Sequence, residues 1–233
     1  MKKLVKVVVG GLVAAAACSV FAQKAGDNVV SMGVASINPN TQLGTFTSTN
    51  PLFQGALTNA SGSISNETTV SFSLLHMFSD DIGAEFTMGL PPRHTLDLVT
   101  PAASPLVMHP GAATVKTWTP AVVGKYFFFG PQDTFRPYVG LGVSRVSFHS
   151  VSVNQNDALV AELGGSGASL SSVWTPVYNV GAIYQLNDRW SLNGSISYLP
   201  IKTTATFNGS GAVTTGDIKI NTTDYVLRLG YRF

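Results

Sequence analysis

The sequence predicts an all-β chain, an eight-stranded antiparallel up-and-down transmembrane β-barrel, and three observations lead there. The 233 residues are 45% hydrophobic and only 11% charged, whereas soluble domains carry about 25% charged residues. Beyond residue 22 no run reaches the roughly 18 apolar residues that a spanning helix needs, so helices do not account for the apolar excess. What recurs instead is period-two alternation in segments of about ten residues, separated by connections that are short and long by turns. Aromatic content of 10% and a mean hydropathy of +0.23 exclude a disordered chain. A net charge of +2 gives no reason to expect a nucleic-acid partner.

The chain opens with Lys2, Lys3 and Lys6, an apolar run from Val7 to Ala17, and Val20-Phe21-Ala22 before Gln23. This order reads as a secretory signal peptide over residues 1–22, leaving 23–233 as the barrel domain. Cys18, the single cysteine, leaves with the peptide, so no disulfide framework is expected. A lipoprotein anchor at Cys18 is the rival reading, although Ala15-Ala16-Ala17 lacks the leucine usual before such a site.

Eight strands can be drawn: Asn28 to Ile37, Thr68 to Phe78, Ile82 to Leu90, Ala113 to Phe129, Phe135 to Phe148, Val173 to Leu186, Trp190 to Tyr198, and Tyr225 to Phe233. In the third, Ile82, Ala84, Phe86, Met88 and Leu90 oppose Gly83, Glu85, Thr87 and Gly89. In the seventh, Trp190, Leu192, Ile196 and Tyr198 oppose Ser191, Asn193, Ser195 and Ser197. In the last, Tyr225, Leu227, Leu229, Tyr231 and Phe233 oppose Val226, Arg228, Gly230 and Arg232. Aromatics at both ends of an apolar stripe suit a lipid face with interfacial girdles better than a soluble core.

Three connections are short: Ser79 to Asp81, Gly130 to Thr134, and Asn187 to Arg189. Four are long: Asn38 to Glu67, Pro91 to Ala112, His149 to Ser172, and Pro200 to Asp224, expected as loops. Strict alternation puts all short turns on one side of a membrane. Ten residues rising about 3.3 Å each at a ~45° tilt span roughly 23 Å, the height of an outer-membrane apolar band. Eight strands enclose a lumen that side chains nearly fill, which excludes a general porin.

Several runs then resemble a known family. Phe78-Ser79-Asp80-Asp81-Ile82-Gly83-Ala84-Glu85, Leu90-Pro91-Pro92-Arg93-His94, Arg136-Pro137-Tyr138-Val139-Gly140-Leu141-Gly142-Val143, Asn187-Asp188-Arg189-Trp190-Ser191-Leu192-Asn193 and the closing Leu229-Gly230-Tyr231-Arg232-Phe233 are similar, in this order, to the OmpW family and its alkane-uptake branch. The resemblance covers nearly the whole mature chain. It implies a hydrophobic interior channel for passive uptake of small apolar molecules, with lateral release into the bilayer.

Motifs for chemistry are mostly missing, and no cofactor is expected. Gly140 and Gly142 sit inside a strand, where close backbone packing explains them better than a nucleotide fingerprint. His94 and His109 share a loop without cysteine or carboxylate company and are expected as solvated side chains. A lipid-modifying enzyme would need a His, a Ser and an acid gathered at the rim, and His149-Ser150 is the one adjacent pair. The other alternative is a structural or adhesive barrel with a plugged lumen.

Candidate functional residues fall into three groups. Glu85, Arg228 and Arg232 face the lumen by alternation, with Lys125 and Arg145 as further lumen charges whose face alternation leaves open. Leu96, Leu98, Leu106, Val107, Met108 and Trp118 place apolar groups near the extracellular rim, as channel lining or as a loop folded back into a plug. Pro91 and Pro92 close strand three, and Pro120 lies in the upper half of strand four, so adjacent strands lose donors at one seam. Pro176 and Pro200 sit at similar heights, so prolines trimming the rim is the competing account. With the lateral release that the resemblance implies, the seam becomes the candidate exit. Tyr231 and Phe233 form the expected assembly signal. The partners expected are outer-membrane lipid, small hydrophobic solutes and the barrel-assembly machinery.

Overall fold

The computed structural model describes residues 23–101 and 107–233, so the signal peptide and Leu106 lie outside the described residues. Among the described residues there are twelve strands and two short helices. They are β1 (Asn28–Ser48), α1 (Pro51–Leu57), β2 (Ser61–Ile64), β3 (Glu67–Met77), β4 (Ile82–Gly89), β5 (Arg93–Thr100), β6 (Val107–Trp118), β7 (Ala121–Phe127), β8 (Phe135–Val153), α2 (Ala158–Gly164), β9 (Gly167–Leu170), β10 (Val173–Gln185), β11 (Trp190–Gly209) and β12 (Ala212–Arg232). The fold is an antiparallel, barrel-like all-β sheet. Pairing runs β1–β3–β4–β7–β8–β10–β11–β12 and returns to β1.

Twelve strand segments are described where eight were expected. Most of each segment expected as a long loop is folded. β1 runs on to Ser48, and β11 and β12 stay paired up to Gly209↔Ala212. Pro91 to Ala112 contributes β5 and much of β6, with β2 added at their edge. The strand expected from Ala113 to Phe129 divides at Thr119–Pro120. Pro120 has no N–H to give a ladder, while its carbonyl accepts from Arg145 N–H at 3.1 Å. Below it β7 pairs with β4; above it β6 pairs with β5 and β8.

The turns at the opposite end are tight, for local reasons. Asn187 Oδ1 accepts from the N–H of Arg189 at 3.0 Å and of Trp190 at 2.9 Å. Ser79 Oγ accepts from Asp81 N–H and Ile82 N–H. The wall glycines are a matter of close approach: a Cβ on Gly142 would overlap the Val122 carbonyl oxygen, and one on Gly140 would lie 2.8 Å from Val123 Cγ1.

Polarity along the wall inverts partway up. Near the short turns the outward side chains are apolar and exposed, including Met32, Val34, Phe86, Leu141, Leu192, Leu227 and Leu229, with Tyr126, Phe135, Trp190 and Phe233 near one end and Trp174, Tyr178, Tyr198 and Tyr225 toward the other. In the upper parts of β11 and β12 the outward residues are Lys202, Asp217 and Lys219, and Ile201, Ala205, Ile218 and Ile220 are buried inside. The lower wall therefore suits lipid and the upper wall suits water.

Candidate functional site

The lumen near the short turns is filled. Arg136 is fully buried; one Nη donates to Gln23 O at 2.6 Å, the other to Asp80 O at 2.6 Å and Phe129 O at 3.1 Å, and the guanidinium lies 5.2 Å from the Phe127 ring centroid. Val29, Leu75, Met77, Phe127, Tyr138 and Ile183 form a buried apolar cluster of their own in this region. One layer higher, Lys125 Nζ sits 2.7 Å from Glu85 Oε2 and 4.2 Å from the Tyr138 ring centroid. Arg228 lies 3.6 Å from Glu85 Oε1 and donates to Ser71 Oγ at 2.7 and 3.0 Å and to Thr87 Oγ1 at 2.5 Å. A buried ionic layer of this kind is stable only when each charge has partners, and these do.

Above that layer three cavities follow one another. The first, of about 70 Å³, is bounded by Ser71, Glu85, Asn179, Asp224 and Arg228. It shares Ile37, Thr117, Thr119, Leu199 and Asp224 with the second, of about 50 Å³, whose remaining walls include Val115, Val146, Ile201 and Ile220. The third, of about 30 Å³, is enclosed by apolar groups such as Leu43, Phe46, Leu96, Leu98, Val160 and Leu163. Polar character thus gives way to apolar toward the distal end.

The first cavity also reaches the outer surface of the wall. Its lining includes Met88 and Leu90, both exposed on the apolar exterior, together with Pro92, Thr117 and Thr119. The β4–β7 ladder ends at Thr87↔Ala121. The next bond across that boundary among the described residues is Thr117 N–H to Pro92 O at 3.2 Å. Leu90 stays attached on its other side, donating to Val70 O at 3.0 Å and accepting from Thr69 Oγ1 at 2.7 Å. The wall is therefore interrupted on one side of β4, where Pro91, Pro92 and Pro120 cluster.

The structure brings together Glu85, Lys125 and Arg228. Arg232 lies lower, paired with Asp27 at 3.0 Å. Arg145 corrects the lumen expectation: on β8 the buried side chains are Arg136, Tyr138, Ser144 and Val146, so Arg145 shares the outward parity of Val143 and packs 5.5 Å from the Trp174 ring. Parity with Val139, Leu141 and Val143 was the signal for this, and the opposite parity marked Arg136, which sequence reasoning missed. Leu96 and Leu98 line the third cavity, whereas Val107, Met108 and Trp118 are exposed on the outside. Tyr231 meets Trp190 edge-on at 5.0 Å, and Phe233 N–H bonds Asn28 O at 3.1 Å.

The two histidines expected to be solvated are buried. His94 Nδ1 is 2.9 Å from Ser65 O. His109 stands between Thr100 Oγ1 at 3.2 Å and Asp157 Oδ2 at 2.7 Å. Asp157 is the N-cap of α2, and its Oδ1 accepts from Val160 N–H at 3.1 Å. Burial, the largest influence, pushes the Asp157 carboxyl up, but the hydrogen bonds from His109 and from the first turn of the helix together outweigh it and hold the pKa below its ordinary value.

A closed antiparallel wall with an apolar exterior band, aromatic girdles and a packed ionic interior defines a small outer-membrane β-barrel protein. The OmpW family pattern matches residues 24–233, and the chain belongs to that family. Outer membrane protein W of Vibrio cholerae is 31% identical over 222 residues, covering 95% of both chains. Outer membrane protein AlkL of Ectopseudomonas oleovorans is 29% identical over 176 residues, covering 76% of this chain and 70% of its own. Among solved structures, OprG of Pseudomonas aeruginosa superposes with a TM-score of 0.79 at 23% identity, covering 91% of this chain and 98% of its own. The protein resides in the outer membrane and is not an enzyme.

Proposed function

We propose that β1, β3, β4, β7, β8, β10, β11 and β12 are the eight strands that cross the membrane, and that the apolar chamber above the ionic layer takes up small hydrophobic molecules passively and releases them sideways at the β4–β7 seam. The observation that carries this reading is the single cavity lined both by lumen Arg228 and by exterior Met88 and Leu90. A solute moving down from the apolar end meets the Glu85–Lys125–Arg228 layer, which an apolar molecule crosses only at a large desolvation cost. The lateral route leads from apolar lining to lipid instead. Outer-membrane lipid is then the receiving partner, and Tyr231 and Phe233 present the closing strand to the barrel-assembly machinery.

The filled lower lumen also favours a second reading, a structural or adhesive barrel. Cross-linking Leu90→Cys to Thr119→Cys, which flank the seam, separates the two. Uptake of octane should fall to the level of cells lacking the protein, with insertion unchanged, and reduction of the cross-link should restore it. Native uptake indistinguishable from cells without the protein supports the structural barrel.

A further inference from the structure

Three adjacent strands set Asn179, Ser197 and Asp224 side by side in one row across the lumen wall. Asn179 faces Ser197 in the β10–β11 register, and Ser197 faces Asp224 in the β11–β12 register. All three line the cavity beneath the apolar chamber, and Asp224 lines the chamber as well. Asn179 is 6% exposed. Its Nδ2 donates to Ile196 O at 3.2 Å and Ser197 Oγ at 2.9 Å, which fixes the amide orientation. Asn179 Oδ1 and Asp224 Oδ1 are both buried, and neither accepts a hydrogen bond from any protein group. Buried acceptors are nearly always satisfied, so two open ones in one row at the foot of an apolar chamber require a donor.

Charge narrows what that donor is. In the same part of the lumen Lys125 and Arg228 are both already paired with Glu85. An ammonium or carboxylate entering this layer would have to give up its hydration, whereas a neutral hydroxyl supplies a donor at a far smaller desolvation cost. We propose that the Asn179–Ser197–Asp224 row is a subsite for the neutral hydroxyl head of an amphipathic solute, a 1-alkanol, whose alkyl chain occupies the apolar chamber above. This rests on the uptake reading and extends it from plain hydrocarbons to alcohols held head-down.

The full mature barrel in lipid nanodiscs, titrated with 1-hexanol, n-hexane and 1-hexylamine at matched membrane concentrations, tests it. Hexanol should bind about tenfold more tightly than hexane, the effect of one well-placed hydrogen bond, and should shift the Asn179 side-chain amide resonance. Asp224→Leu should abolish that preference, with hexanol then binding no more tightly than hexane. Asn179→Leu should reduce it in the same way, and carries the test if Asp224→Leu fails to insert. Hexanol and hexane binding equally, hexylamine binding more tightly than hexanol, or a preference that survives substitution would each overturn the subsite. If hexane binds but hexanol gains nothing, the subsite alone falls; if no compound binds, the uptake reading falls with it.

Discussion

Lys125 Nζ lies 2.7 Å from Glu85 Oε2, and both side chains are almost completely shielded from solvent. Glu85 is also the carboxylate facing Arg228 at 3.6 Å, so one acid is shared by two bases. Glu85→Gln should cost about 3–5 kcal/mol, because it leaves two cations without their shared counter-charge. A fall in the urea midpoint of the barrel in lipid would show it. Glu85→Gln together with Lys125→Met should recover much of the loss, and failure to recover would mean that the pair is not the coupled unit.

Leu229 and Gly230 are successive residues with opposite environments. Leu229 is exposed on the apolar exterior midway between Tyr225 and Phe233, whereas a Cβ on Gly230 would lie 2.8 Å from Ser191 Oγ and 3.0 Å from Ser31 Oγ. Arginine at Leu229 should cost ~2–4 kcal/mol and depend on bilayer thickness. Arginine at Gly230 should destabilise by crowding the lumen, independently of lipid chain length. Unfolding measured in bilayers of two thicknesses distinguishes them.

Phe233 closes β12 with its N–H on Asn28 O and its ring exposed. Removing it should reduce the heat-modifiable, membrane-inserted fraction several-fold, while removing Ser210 at the distal hairpin should leave it unchanged.

The docking of α2 should depend on pH through Asp157. Because its folded pKa is depressed, its contribution is complete above the unfolded value near ~3.9 and is lost as pH falls through the lower folded value. Resonances of α2 should therefore hold steady from neutral pH down to about 4 and broaden below it. Asp157→Ala should remove the transition and loosen the helix by about 1 kcal/mol, the usual worth of an N-cap.

Alternation in Ile82–Gly89, Trp190–Tyr198 and Tyr225–Phe233 fixes which side chains face out, because successive strand residues must point to opposite faces. The tight turns were equally legible, since Asn187 and Ser79 make their bonds within three residues. In residues 200–224 the same alternation is present with polarity reversed: Ile218 and Ile220 are inside, Lys219 outside. That pattern reads as a polar loop only while the strand's surroundings are unknown. Period alone specifies two faces, and whether a face meets lipid, water or lumen depends on its height relative to the membrane.

The sequence by itself determined the all-β class, the lipid-facing stripes, the proline cluster at Pro91, Pro92 and Pro120, and an inward Glu85 and Arg228. These rest on local backbone geometry and on side-chain size and polarity. Tertiary structure alone decided that Lys125 meets Glu85, that His109 bonds Asp157, and that Asn179, Ser197 and Asp224 share a row. Each of those pairs is set by strand register, a sum of hydrogen bonds and packing over the whole ladder, which no single segment of the sequence carries.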